Sequence, residues 1–177
     1  MKGMAALLLL CPLAVFAADD SVTEPAPVSA CAADEYRQFD FWLGRWDVVA
    51  DDRTAGTNEV RSIDGGCALQ ENWRGAGENG ISGTSLNAYD RATGRWHQTW
   101  IDSGGTLLQL DGGLVDGVMV LGGEQPGAGG PRGVRHRISW TPNEDGTVRQ
   151  LWEASQDGGA TWSTLFDGRY QPAGDDG

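Results

Sequence analysis

The side chains that could do chemistry here are few, and they sit in alternating runs whose other members are apolar. Successive residues of a strand point to opposite faces. Leu69, Glu71 and Trp73 therefore share one face, Asn87 goes with Tyr89, and Val134, His136, Ile138 and Trp140 share another. Arg95, His97, Thr99 and Ile101 form a less apolar face, and further on Leu151 and Glu153 lie opposite Gln150 and Trp152. If the apolar faces turn inward, Glu71 and His136 become polar groups buried among tryptophans, and such groups need partners. They are then the best ligand contacts on offer. Glu71, His136 or Glu153 could also serve as acid and base, with burial raising a carboxyl pKa toward neutrality. The plainer reading is a Glu or His satisfied by an arginine such as Arg137 or Arg149, or rotated outward.

Familiar catalytic motifs do not add to this set. Gly75-Ala76-Gly77-Glu78-Asn79-Gly80 satisfies GxGxxG, but strand-like sequence follows it instead of the helix whose N-terminus would hold a pyrophosphate. It reads as a hairpin loop. GxSxG, P-loop, HExxH and EF-hand patterns do not occur. Two histidines, with cysteines that lack CxxC spacing, do not make a structural zinc site, and no metal is expected. Ser155-Gln156-Asp157-Gly158-Gly159-Ala160-Thr161-Trp162 matches the Asp-box of sialidase propellers. That motif is a hairpin turn in which Asp157 caps amides and Trp162 packs beneath, so its role is structural. A single copy does not make a sialidase.

Residues 1–17 carry a positive start, an apolar run and small residues before Asp19, in the order of a secretory signal peptide. The run is too short for a membrane span of roughly 20 residues, so no membrane insertion is expected. Leu10 precedes Cys11 where a lipobox needs a small residue, and Cys11 is expected to leave with the signal. The mature protein is then periplasmic or secreted. Two cysteines remain, Cys31 and Cys67, and an oxidising compartment favours one disulfide over two buried thiols. Acids outnumber bases 25 to 13 for a net charge of −12, and Lys2 is the only lysine. Nucleic acid and anionic membrane surfaces are poor partners for such a chain. The oligomeric state is left open.

The elements that must position these residues are strands. Residues 18–34 are rich in Ala, Pro and acid and read as a flexible tether. From there to residue 171, short alternating runs recur about every ten residues, with Gly, Asp and Asn between them. Ten strands are expected: Arg45 to Ala50, Thr57 to Ile63, Cys67 to Arg74, Thr84 to Asp90, Arg95 to Asp102, Thr106 to Asp111, Gly117 to Gly122, Val134 to Thr141, Thr147 to Ser155 and Thr161 to Tyr170. The stretch from Gly122 to Gly133 is expected to be a flap over one mouth, and residues 172–177 a disordered tail. Short hairpins without crossover helices imply an all-β, single antiparallel up-and-down barrel, which closes so that no edge stays unpaired. A β-sandwich is the competing fold.

Phe39-Asp40-Phe41-Trp42-Leu43-Gly44-Arg45-Trp46-Asp47-Val48 resembles the lipocalin and calycin signature. The resemblance implies a short 3₁₀ turn at the base, a tight approach at Gly44, and Trp46 on the floor beneath a cation from the last strand, for which Arg169 is placed. With Gly66-Cys67-Ala68-Leu69, Glu71-Asn72-Trp73, Ser85-Leu86-Asn87, Tyr89-Asp90 and Gly94-x-Trp96-His97-Gln98-Thr99-Trp100, the chain is similar over nearly the whole domain to a family of uncharacterised secreted bacterial proteins with a lipocalin-like barrel. Such barrels commonly hold a small apolar or aromatic ligand. The expected contacts are Glu71, Trp73, Tyr89, His97, Trp100, His136, Trp140 and Glu153. No cofactor is expected, although one relative of this architecture binds heme through a single histidine, a role open here to His97 or His136. An acid-base enzyme and a protein-interaction module in the cell envelope are the other two classes.

Overall fold

The computed structural model describes residues 30–126 and 133–174. The expected signal peptide, most of the tether, the middle of the expected flap and the last three residues lie outside the described residues. Ten strands follow in order: β1 Gly44–Ala50, β2 Arg53–Ile63, β3 Ala68–Gly75, β4 Ser82–Asp90, β5 Arg95–Asp102, β6 Leu107–Val115, β7 Val118–Gln125, β8 Val134–Pro142, β9 Val148–Ser155 and β10 Ser163–Pro172. Each pairs antiparallel with its sequence neighbours, and β1 pairs with β10, so the sheet closes into a barrel. Every expected strand is present. Alternation and turn residues are local signals, and an up-and-down meander needs only local pairing. Strand ends differ by a few residues; β2 begins at Arg53 because Asp51 and Asp52 take positive φ and make the preceding turn.

One end of the barrel is filled. The 3₁₀ turns Asp34–Arg37 and Asp40–Trp42 lie across it and bury Tyr36, Phe39 and Trp42. Phe39 stacks on Trp42 at 5.0 Å and meets Trp140 and Trp96 edge-on at 5.2 and 5.6 Å. Trp46 donates its indole N–H to the Trp42 carbonyl at 3.0 Å. Gly44 has φ +136°, a conformation that favours glycine, and Trp46 lies against it. A disulfide joins Cys31 to Cys67, with Cα atoms 5.0 Å apart, and fastens the N-terminal lead to the β2–β3 connection.

The expected stack of Arg169 on Trp46 does not form. Arg169 is on the outer face of β10 beside Val49, and its guanidinium pairs with Asp145. Val48 and Tyr170 face inward at the next register step, so the strand's parity sends Arg169 to the opposite side from Trp46. Tyr170 supplies the lid over the indole instead, edge-on at 6.3 Å.

Candidate functional site

The other half of the barrel is hollow. A cavity of about 340 Å³ is walled by Trp73, Trp100, Trp152 and Phe166, with Ile81 and Leu165 at its rim. These aromatics come from β3, β5, β9 and β10 and are partly buried, as expected for rings that face an opening. Glu71, Gln98, Gln150 and Tyr170 also line it.

Glycines on neighbouring strands, or two residues along the same strand for Phe166, let the rings lie against the barrel wall. A Cβ added at Gly83 would come 2.2 Å from Trp100, one at Gly168 would come 2.4 Å from Phe166, and one at Gly56 would come 2.9 Å from Trp73. No side chain larger than hydrogen fits beneath these rings. The three glycines are inward-facing positions that leave that space, and at Gly56 a Cβ would also come 2.2 Å from the Arg74 carbonyl oxygen.

Glu71 is 4 % exposed and its carboxyl is held by a network from β2 to β5. Asn58 donates to Oε1 at 3.0 Å and the Ser85 hydroxyl to Oε2 at 2.6 Å. Ser85 in turn accepts from Asn87 at 2.9 Å, and Gln98 donates to the Asn87 side-chain Oδ1 at 2.8 Å. Register explains the contact, because Glu71 and Ser85 are directly opposite across β3 and β4. Burial pushes the Glu71 pKa up to about 7, against the lowering effect of the Ser85 and Asn58 hydrogen bonds. On the facing wall the Tyr170 hydroxyl donates to Gln150, and burial together with the Glu71 charge raises the phenol pKa well above its usual value.

Of the eight residues expected to contact a ligand, Glu71, Trp73 and Trp100 meet in this cavity. The others are elsewhere. Tyr89 packs edge-on against Tyr36 at 5.3 Å at the plugged end, where Trp140 is also buried. His97 is on the outer face, where its Nδ1 is 2.8 Å from Asp111 and its Nε2 is 2.8 Å from Thr99. Glu153 is also on the outer face, held by both Nε and Nη2 of Arg137 at 3.1 and 2.7 Å, and that guanidinium lies 4.4 Å above the Trp162 ring. His136 points inward but does not line the cavity. Its Nδ1 accepts the Trp152 indole N–H at 3.1 Å, and burial lowers its pKa. Neither histidine is placed to ligate an iron in the cup, and among the described residues no cluster of three His, Cys, Asp or Glu could hold a metal. Sequence reasoning missed Ser85, Gln98, Gln150, Trp152, Phe166, Tyr170 and the three glycines. The inward parity of Gln150 and Trp152 was the available signal.

The second carboxyl at the cavity, Asp102, is committed to its own turn. Its Oδ1 accepts the Gly104 and Thr106 amides at 2.9 and 3.0 Å, and its Oδ2 accepts the Trp100 indole N–H at 3.2 Å. This steadies the Trp100 ring.

The Asp-box forms the β9–β10 hairpin. Asp157 accepts from the Thr161 amide at 2.9 Å and its hydroxyl at 2.6 Å, and Trp162 donates to the Gly159 carbonyl at 3.1 Å.

A family described as "Protein of unknown function (DUF1579)" matches residues 37–171, most of the chain and all of the barrel strands but the last residue of β10. The chain belongs to the DUF1579 family. No curated protein matches the chain. In this DUF1579 domain the match begins at Arg37 and so takes in the 3₁₀ turn that plugs the barrel as well as the strands that line the cup.

Proposed function

We propose that this protein is exported and binds a small, mostly apolar or aromatic molecule in the open half of its barrel. The observation that carries this reading is the asymmetry of the interior: one half is packed solid with aromatics, and the other leaves about 340 Å³ between aromatic walls above a buried carboxyl. Pockets that take small molecules are concave, largely apolar and carry a few placed polar groups. A barrel serving only as a protein-interaction module would have no need of that space. The lipocalin-like sequence around Gly44-x-Trp46 supports the same reading by analogy, and the Cys31–Cys67 disulfide and the signal-like first residues support export.

An enzyme built on this cup would have Glu71 as its acid or base, since burial brings that group close to neutrality. Asp102, the other carboxyl lining the cavity among the described residues, is engaged by the Gly104 and Thr106 amides and the Trp100 indole N–H, so it is held as a turn cap and not presented to Glu71 as a catalytic partner. Binding is therefore the stronger reading.

Native mass spectrometry of the protein recovered from a bacterial periplasm tests it. The expected result is a small non-covalent mass that disappears on denaturation, or uptake of an added neutral aromatic probe that is weakened by Trp100→Ala. A bare protein that takes up no such probe overturns the reading.

A further inference from the structure

We infer that the ligand of this cup carries a cationic nitrogen on an aromatic or apolar body, seated against Glu71 and the surrounding aromatic faces. The inference rests on the binding reading above and adds the chemical class of what is bound.

The charge on the cavity wall is of one sign. Among the described residues, Glu71 and Asp102 are its carboxyl groups, and no Lys, Arg or His lines it. The arginines of β8, β9 and β10 point the other way: Arg137, Arg149 and Arg169 pair with Glu153, Asp167 and Asp145 on the outer face. A carboxylate or phosphate entering the cup would lose its water and meet no cation among the described lining residues, which disfavours it. A cation meets the opposite situation. Each carboxylate oxygen offers two acceptor positions. The network uses one on each oxygen of Glu71, through Asn58 and Ser85, and leaves acceptor capacity for a ligand N–H.

The walls suit the same charge. The ring faces of tryptophan, and less strongly of phenylalanine, attract ammonium groups within about 6 Å, most strongly when water is excluded. Trp73, Trp100 and Trp152 with Phe166 surround the space above Glu71. Burial raises the Glu71 pKa to about 7, so a bound cation favours its ionised form and supplies the counter-charge that water cannot.

Isothermal titration calorimetry of the mature protein near neutral pH, with three probes that share one bicyclic body, tests the inference: 2-naphthylmethylamine, 2-naphthylmethanol and 2-naphthoate. The amine is expected to bind about tenfold more tightly than the alcohol, as a charge-assisted hydrogen bond outweighs a neutral one, and the naphthoate most weakly. In Glu71→Gln the gap between amine and alcohol should close. Alcohol or naphthoate binding as tightly as the amine in the unaltered protein overturns the charge class while leaving the binding reading intact. Failure of all three to bind overturns both. The comparison in the unaltered protein stands whether or not the variant folds.

Discussion

Trp100 lies directly over Gly83, and a Cβ at Gly83 would come 2.2 Å from its Cζ2 atom. The missing side chain leaves room for the ring, and Asp102 fastens its indole N–H. Gly83→Ala must push Trp100 into the cup or off its hydrogen bond. We expect a loss of stability of about 1–3 kcal/mol, the usual cost of overpacking, with a clear loss of probe affinity. Urea denaturation and calorimetry measure the two effects. A stable variant with unchanged affinity would show that the ring's position does not matter for binding.

Stability should fall as pH rises through neutrality. Glu71 has a folded pKa near 7 against an ordinary value of 4.5, so folding favours its protonated form. Its contribution is complete below about pH 4.5 and is lost as pH passes 7, by about 3 kcal/mol in all. The titratable group facing it is the Tyr170 phenol, whose own pKa is raised further away from this window. Asp90, Asp102, Asp145, Asp157 and Asp167 are all held below their ordinary value, so their stabilisation is lost at the acid end. His136, whose pKa burial lowers, also loses its stabilisation as pH falls, so maximum stability lies between the acid end and neutrality. Glu71→Gln should flatten the slope between pH 5 and 8 in thermal melts, and an unchanged slope would mean that another group sets it.

Removing the Cys31–Cys67 bridge should loosen the plugged end first. The bridge spans 36 residues, and closing a loop of that length stabilises the folded chain by about 4 kcal/mol on the chain-entropy account. The double variant Cys31→Ser, Cys67→Ser should lose close to that amount in denaturant. Hydrogen exchange should speed up at Tyr36 to Trp42 before the strands.

Asp157→Ala should destabilise the β9–β10 hairpin selectively. The carboxylate caps the Thr161 amide and hydroxyl, and these bonds, with one from Ser155, hold its pKa far below the usual carboxylate range. Faster amide exchange at residues 157–162, with little change at the β3–β4 loop, is the expected pattern. Uniform loosening of the whole barrel would contradict a local role.

What the sequence by itself determined is what short-range physics controls: ten strands, their hairpins, the Asp-box turn and the pairing of Cys31 with Cys67. Hairpin pairing and strand alternation each involve only a few neighbouring residues, so they are legible without a structure. Alternation also constrains which of the expected contacts can share a ligand. His97 and Trp100 have opposite parity on β5, so no straight strand could turn both toward one ligand, and Glu153 stands opposite Trp152 in the same way on β9. The closed base was expected from the Phe39–Val48 stretch, but only the tertiary structure decided that Phe39 and Trp42 pack against Trp96 and Trp140 once the chain has closed. It likewise decided that Ser85 and Asn58 converge on Glu71 and that Gly83, Gly168 and Gly56 make room for three rings. Those contacts depend on strand register and barrel closure, and both are set by the packing of the whole sheet.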